Sequence, residues 1–256
     1  MENITIYSYL ILCPLVFIAG FIDAIAGGGG LITVPAYLMI GLPSHNAVAT
    51  NKLSSTMGCI VATTKYALNG YIHWKNAFFC VLITLGGAWI GSNLVLLIPE
   101  NVFGIIFVVV LPFIAAYVLT HKSFETDKEK FSPQKTLLLC LIIAFFIGMY
   151  DGFYGPGTGT FLMLSLTGLA RLTLNEAAGT TKAINLTSNM TSLAVFLYNG
   201  KVLLVMGLIA GLFSIAGNFL GARTFTKNGA KIARPVIITV LAILFVKIIL
   251  EFFLKK

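Results

Sequence analysis

The chain has 256 residues, 58% of them hydrophobic and only 10% charged, with a mean hydropathy of +0.95. No stretch is polar enough for a separate soluble domain, which excludes a water-soluble globular protein. The net charge of +8 does not point to nucleic acid, because most of its Lys and Arg residues fall in short connections between apolar runs, where they set membrane orientation.

Taken in order, the uncharged runs have the length a bilayer demands, about 20 residues for about 30 Å of hydrocarbon. They fall at 7–22, 24–50, 76–99, 101–120, 152–170, 183–200 and 202–222, with further apolar stretches at 136–150 and 235–254. The first run lacks a basic leader and continues past any plausible cleavage point, so it reads as a span and not as a signal peptide. Cys13, Cys59, Cys80 and Cys140 are scattered through apolar segments without a CxxC pair, which predicts buried packing and no metal or redox chemistry. His45, His73 and His121 fall at predicted span ends.

Residues 20–52, GFIDAIAGGGGLITVPAYLMIGLPSHNAVATNK, organise the rest. The pattern returns at 148–182 as GMYDGFYGPGTGTFLMLSLTGLARLTLNEAAGTTK. Gly20 and Asp23 match Gly148 and Asp151 at an offset of 128. A small insertion at 169–172 moves the offset to 130, where Ala47, Thr50 and Lys52 match Ala177, Thr180 and Lys182. The dipeptide Asn69-Gly70 then matches Asn199-Gly200, and the pair Gly87, Gly91 matches Gly217, Gly221. The predicted organisation is transmembrane repeat 1 over 1–120, a polar inter-repeat loop over 121–135, and transmembrane repeat 2 over 136–256. Each repeat is predicted as a glycine-broken helical hairpin followed by three transmembrane helices, all-α. On that plan eleven basic loop residues fall on one side and three on the other, whereas eight plain crossings split them nine to five. The positive-inside rule therefore favours inverted repeats with both termini outside.

The breaks carry the candidate chemistry. Non-helical backbone inside a bilayer survives only when buried in protein or facing a wet cavity. Gly27, Gly28, Gly29 and Gly30 form one break; Gly155, Pro156, Gly157, Thr158 and Gly159 form the other, with Thr158 able to cap the helix that follows. Each break starts a short helix whose N-terminus carries unpaired N–H groups and about half a positive charge, which attracts anions. Asp23 and Asp151 lie four residues before the breaks and read as coupling groups or as acceptors that hold the loop. Lys52 and Lys182 lie six residues after predicted helix starts at Asn46 and Glu176, roughly 9 Å along each helix. From that depth they either snorkel to the interface or face a substrate. They head polar stripes at helical spacing, Lys182, Asn185, Asn189 and Ser192 against Lys52, Ser55, Thr56, Cys59 and Thr63, which favours the second reading. For the pairs Gly87, Gly91 and Gly217, Gly221, close helix packing is the better reading.

The GFIDAIAGGGG–TNK and GFYGPGTGT–TTK modules, duplicated in a polytopic chain of this length, resemble the TauE/SafE family of sulfite exporters and related permeases. The resemblance covers essentially the whole chain. It implies a carrier in the inner (cytoplasmic) membrane of a bacterium or archaeon that moves sulfite, sulfoacetate or another organosulfonate. The repeats depart from symmetry where Asn51 becomes Thr181 and where three glycines of the first break become Pro156, Gly157 and Thr158. The expected partners are a small anionic solute and the lipid bilayer, with a second copy of the chain as a candidate and no nucleic acid; no cofactor or metal is expected. The alternatives are an anion channel and a carrier for an unrelated carboxylate or inorganic anion. An intramembrane enzyme is disfavoured because neither HExxH, GxSxG nor a paired His/Asp cluster occurs.

Overall fold

The computed structural model describes residues 6–99, 102–103, 131–228, 231–232 and 235. Eight helices and no strand occur among the described residues: α1 (Ile6–Ala26), α2 (Gly30–Met39), α3 (Ser44–Leu68), α4 (Trp74–Leu96), α5 (Pro133–Phe153), α6 (Thr158–Gly168), α7 (Leu174–Tyr198) and α8 (Leu204–Asn228). Most of the predicted runs at 101–120 and 235–254 lies outside the described residues, as does residue range 121–130 of the polar connection. Helix lengths of 21, 10, 25 and 23 residues are followed by 21, 11, 25 and 25, so the order long, short, long, long occurs twice.

The run at 24–50 is not one span. Gly27 (φ 72°) ends α1 and Gly41 (φ 89°) ends α2, both in the left-handed region, and Pro43 then precedes α3. In the second copy Arg171 takes the place of Gly41 with a φ of 57°, and its guanidinium lies 3.9 Å from the centre of the Phe131 ring. The longer helices α3 and α7 stop by one device. Gly70 donates to Ala67 O and Tyr71 to Tyr66 O, both at 3.0 Å; Gly200 donates to Leu197 O and Lys201 to Phe196 O, also at 3.0 Å. Each is a glycine C-cap that satisfies the last carbonyls. At its start α7 carries a capping box between Thr173 and Glu176.

The helices α1, α4, α5 and α8 are long and apolar enough to cross a membrane, and between 33% and 44% of each apolar window is buried. The remainder, including Phe78, Trp89 and Leu212, faces outward, as lipid contact requires. The equally long α3 and α7 carry the polar stripes and bury most of them inside, with Ser55 and Thr63 half-buried. Packing crosses between the two copies: α1 lies along α8, α5 along α4, and α3 meets both α7 and α8. Small residues allow this. A Cβ at Gly87 or Gly91 would lie 2.4 or 2.0 Å from the Phe145 or Met149 carbonyl of α5. At Gly217 or Gly221 it would lie 2.1 or 2.3 Å from the Phe17 or Phe21 carbonyl of α1. The packing role predicted for these glycines is the one observed.

Contacts between helix ends fix which ends lie together. Phe225, late in α8, meets Tyr66 and Tyr71 at the end of α3, and the start of α7 packs on the Tyr71 carbonyl through Gly179. His73 Nε2 lies 3.5 Å from Glu176 Oε1, and Arg171 lies over Phe131, just before α5. At the opposite end, His45 bonds to the Val95 carbonyl at 3.0 Å and Asn46 donates to the Lys201 carbonyl at 2.8 Å. His45 is thus buried and bonded within the protein, where the sequence suggested only an interfacial residue.

Candidate functional site

The two glycine breaks cross at the centre. A Cβ on Gly27 would lie 2.2 Å from Gly159 Cα, and one on Gly159 would lie 2.4 Å from Gly27 Cα. The Thr160 hydroxyl ties the crossing by donating to the Ala26 carbonyl at 2.9 Å. Backbones approach this closely only where neither residue has a side chain.

The starts of α2 and α6 meet carboxylates. Asp23 Oδ1 accepts from Gly29 N–H at 3.2 Å, and Asp151 Oδ1 accepts from the Thr158 hydroxyl at 2.7 Å. The expected capping of α6 by Thr158 does not occur: Gly157 is the cap residue and contributes no side chain. The Thr158 hydroxyl turns back instead to Asp151 and to the Gly155 carbonyl. Each aspartate thus sits where half-helix ends attract negative charge.

Each aspartate also holds the lysine of the other copy. Lys52 Nζ lies 3.0 Å from Asp151 Oδ2, and Lys182 Nζ lies 2.8 Å from Asp23 Oδ2. The helices α3 and α7 begin at Ser44 and Leu174, two residues before the predicted starts, so each lysine is eight residues in, roughly 12 Å along its helix. Lys52 is 1% exposed and Lys182 2%; neither snorkels. An unpaired ammonium here would carry a penalty of several kcal/mol, and the crossed pairs remove it.

The surroundings of the pairs differ. Asp151 also accepts from the Ser188 hydroxyl, so its side chain, 4% exposed, is closed in by Lys52, Ser188 and Thr158. The Asp23 side chain is 17% exposed, and among the described residues its Oδ2 meets the Cys59 thiol at 3.7 Å besides Lys182. Lys182 also donates to the Asp23 backbone carbonyl, which anchors it to the last turn of α1.

Between the pairs lies a polar cavity of about 20 Å³, room for about one water molecule. Of the predicted residues, Asp23, Gly27, Gly30 and Lys52 line it with Asn51 from the first copy; Asp151, Gly155, Thr158, Gly159 and Asn185 line it from the second. Gly28, Gly29, Gly157, Thr181 and Lys182 do not. Gly29 backs onto the Asp23 side chain, and the Thr181 hydroxyl is buried with no hydrogen-bond partner among the described residues. Ser55 and Asn189 complete the lining; both lay on the predicted stripes but were not singled out. Ser188 and Cys59, which touch the carboxylates, were likewise missed as site residues. The spacing carried the signal for Ser188, three residues after Asn185.

The geometry can now be set beside known proteins. Residues 12–248 match the family described as Sulfite exporter TauE/SafE. The chain belongs to the TauE/SafE family. It is 36% identical over 251 residues to a probable membrane transporter protein, ORF9, of Sinorhizobium sp, covering 98% of this chain and 96% of that one. It is 35% identical over 225 residues to a probable membrane transporter protein of Haemophilus influenzae, covering 87% of each. Over 254 residues it is 33% identical to the probable membrane transporter protein YfcA of Escherichia coli, covering 98% of this chain and 94% of that one. No solved structure matches this chain. It is a multi-pass membrane transporter of the TauE/SafE family, not an enzyme.

Proposed function

We propose that this TauE/SafE member is a secondary carrier for a small sulfur-containing anion, sulfite, sulfoacetate or another organosulfonate, in the bacterial cytoplasmic membrane. One observation carries the reading: Lys52 and the carboxylates Asp23 and Asp151, each paired with a buried lysine beside the start of a half-helix, line one polar cavity. The carboxylates are oxyanions held by an ammonium and by half-helix ends, and a sulfonate or sulfite offers the same oxygens to the same donors. Asn51, Asn185, Thr158 and the glycines at the crossing complete the proposed binding set. At about 20 Å³ the cavity is too small for such an anion, so binding requires the half-helices to part, as expected of a carrier.

The inverted arrangement, with repeats over 1–120 and 136–256 joined by 121–135, belongs to the same proposal. Its support is that α3 ends beside the start of α7, while α3 and α7 otherwise match in length and in lysine position. Lys65, Lys75, Lys135 and Arg171 lie toward the end holding Tyr71 and Phe131, which supports a cytoplasmic placing of that end.

The test is thermal unfolding of the purified protein with sulfite, sulfoacetate, thiosulfate, sulfate and simple carboxylates. A ligand at 100 times its Kd stabilises by about 2.7 kcal/mol, so one of the sulfur anions should raise Tm in a saturable manner. Saturable stabilisation by carboxylates alone, or by none of the set, would overturn the reading.

A further inference from the structure

Lys52, Lys182, Asp23 and Asp151 sum to zero charge, all within two ion pairs at the centre of the bundle. An anion added to that balance leaves one negative charge uncompensated in a medium that cannot solvate it. The two aspartates are not equally able to restore neutrality. Asp151 is closed in by Lys52, Ser188 and Thr158. Asp23 lines the cavity with the more exposed carboxylate, and among the described residues its Oδ2 has a thiol beside Lys182.

The groups around Asp23 leave it as the carboxylate that changes. From α3 come the Cys59 thiol and Tyr66, whose hydroxyl is committed to the Ala24 carbonyl at 2.6 Å. From α7 comes Lys182, and across the cavity Lys52 faces it, paired with Asp151. The start of α2 offers the Gly29 N–H. Near Gly20 of α1, α8 presents the uncharged Ser214 and Asn218, and α6 has no titratable side chain. Lys52 has a single ion-pair partner among the described residues, and an ammonium has three donors. An anion in the cavity therefore meets Lys52, with both the Asp23 and Asp151 carboxylates in the same lining as like-charged neighbours.

We infer that a singly charged solute anion binds together with one proton, taken up from the bulk solution through the cavity onto the Asp23 carboxylate, so that the loaded site is again neutral. This coupling rests on the anion-carrier reading above. It makes the transporter an anion–proton cotransporter and assigns Asp23 the proton and Lys52 the anion. Binding that takes up a proton strengthens as pH falls and weakens as pH rises, by up to about tenfold per pH unit for one proton.

Calorimetric titration of the purified protein with methanesulfonate and thiosulfate tests it, since both stay fully ionised between about pH 5.5 and 8 and add no proton of their own. Repeating the titration in buffers of different ionisation enthalpy gives the protons taken up per anion bound. The expected number is near one for methanesulfonate and at least one for thiosulfate. Binding with no proton uptake would overturn the coupling while leaving the carrier reading intact. No heat of binding from either probe, with no shift in Tm, would remove the carrier reading and this inference with it. In Asp23→Asn the proton number should fall to near zero and the affinity should become flat with pH; an unchanged pH slope in that variant would overturn the assignment to Asp23. Should Asp23→Asn not fold, the wild-type proton number still decides the coupling.

Discussion

Lys52 and Lys182 hold matching places in α3 and α7, yet their partners divide the work between them. Lys52 lines the cavity and makes one ion pair; Lys182 stands outside the lining and grips both the side chain and the backbone carbonyl of Asp23. Methionine at position 52 removes a charge-assisted contact worth roughly 1.5–3 kcal/mol, so anion affinity should fall about 10- to 150-fold by calorimetry. Arginine there should rescue partially at best, because its planar fork does not fit a site built around a compact ammonium. Lys182→Met should lower stability, since it leaves the Asp23 carboxylate without its cation, a loss of about 3–5 kcal/mol for a broken buried pair, and Lys52→Met should do the same to Asp151. Equal affinity losses in the two variants would contradict this division. The residue types and their duplication were legible in the sequence. Which aspartate meets which lysine was not, because the partners are 99 and 159 residues apart and belong to opposite copies.

The same distinction appears among the glycines of the breaks. At Gly27 an added Cβ collides with the Gly159 backbone at 2.2 Å, and neither strand of the crossing has a flexible end to move aside. Gly27→Ala should therefore abolish anion binding and lower Tm. At Gly157 the nearest atoms to an added Cβ are Leu31 and Phe161 side-chain carbons at 3.6 Å, so space is ordinary and only the φ of 83° resists. Gly157→Ala should cost about 1–2 kcal/mol of left-handed strain and retain binding. Loss of binding in Gly157→Ala with no loss at Gly27→Ala would reverse the assignment. Four glycines in a row announced a break in the sequence. That two of them, Gly27 and Gly30, meet the other break could be seen only once α1, α2 and α6 were placed together.

For the molecule as a whole, the interleaving of α1 with α8 and α5 with α4 ties the two copies into one body. Ser132 and Asn228, just before α5 and at the end of α8, are both exposed and both predicted to be cytoplasmic. Single cysteines at these positions, in a background lacking the four native ones, should resist an impermeant thiol reagent applied outside intact cells. Both should label after permeabilisation. Labelling of one and not the other from outside would refute the inverted arrangement.

Composition and periodicity alone determined that the chain crosses a bilayer, that it repeats a broken helix, and that its polar stripes head inward. Those properties follow from local length, helical spacing and the cost of exposing polar groups to lipid. Tertiary structure decided what no local pattern encodes: that the lysines are exchanged between copies, that the breaks cross at Gly27 and Gly159, and that only one of two matching lysines faces the cavity. Near-symmetry in sequence could not reveal the last of these. It arises because Asp23 and Asp151 have different neighbours, Cys59 beside one and Ser188 and Thr158 around the other, and those neighbours meet only when α1, α3, α5, α6 and α7 are packed together.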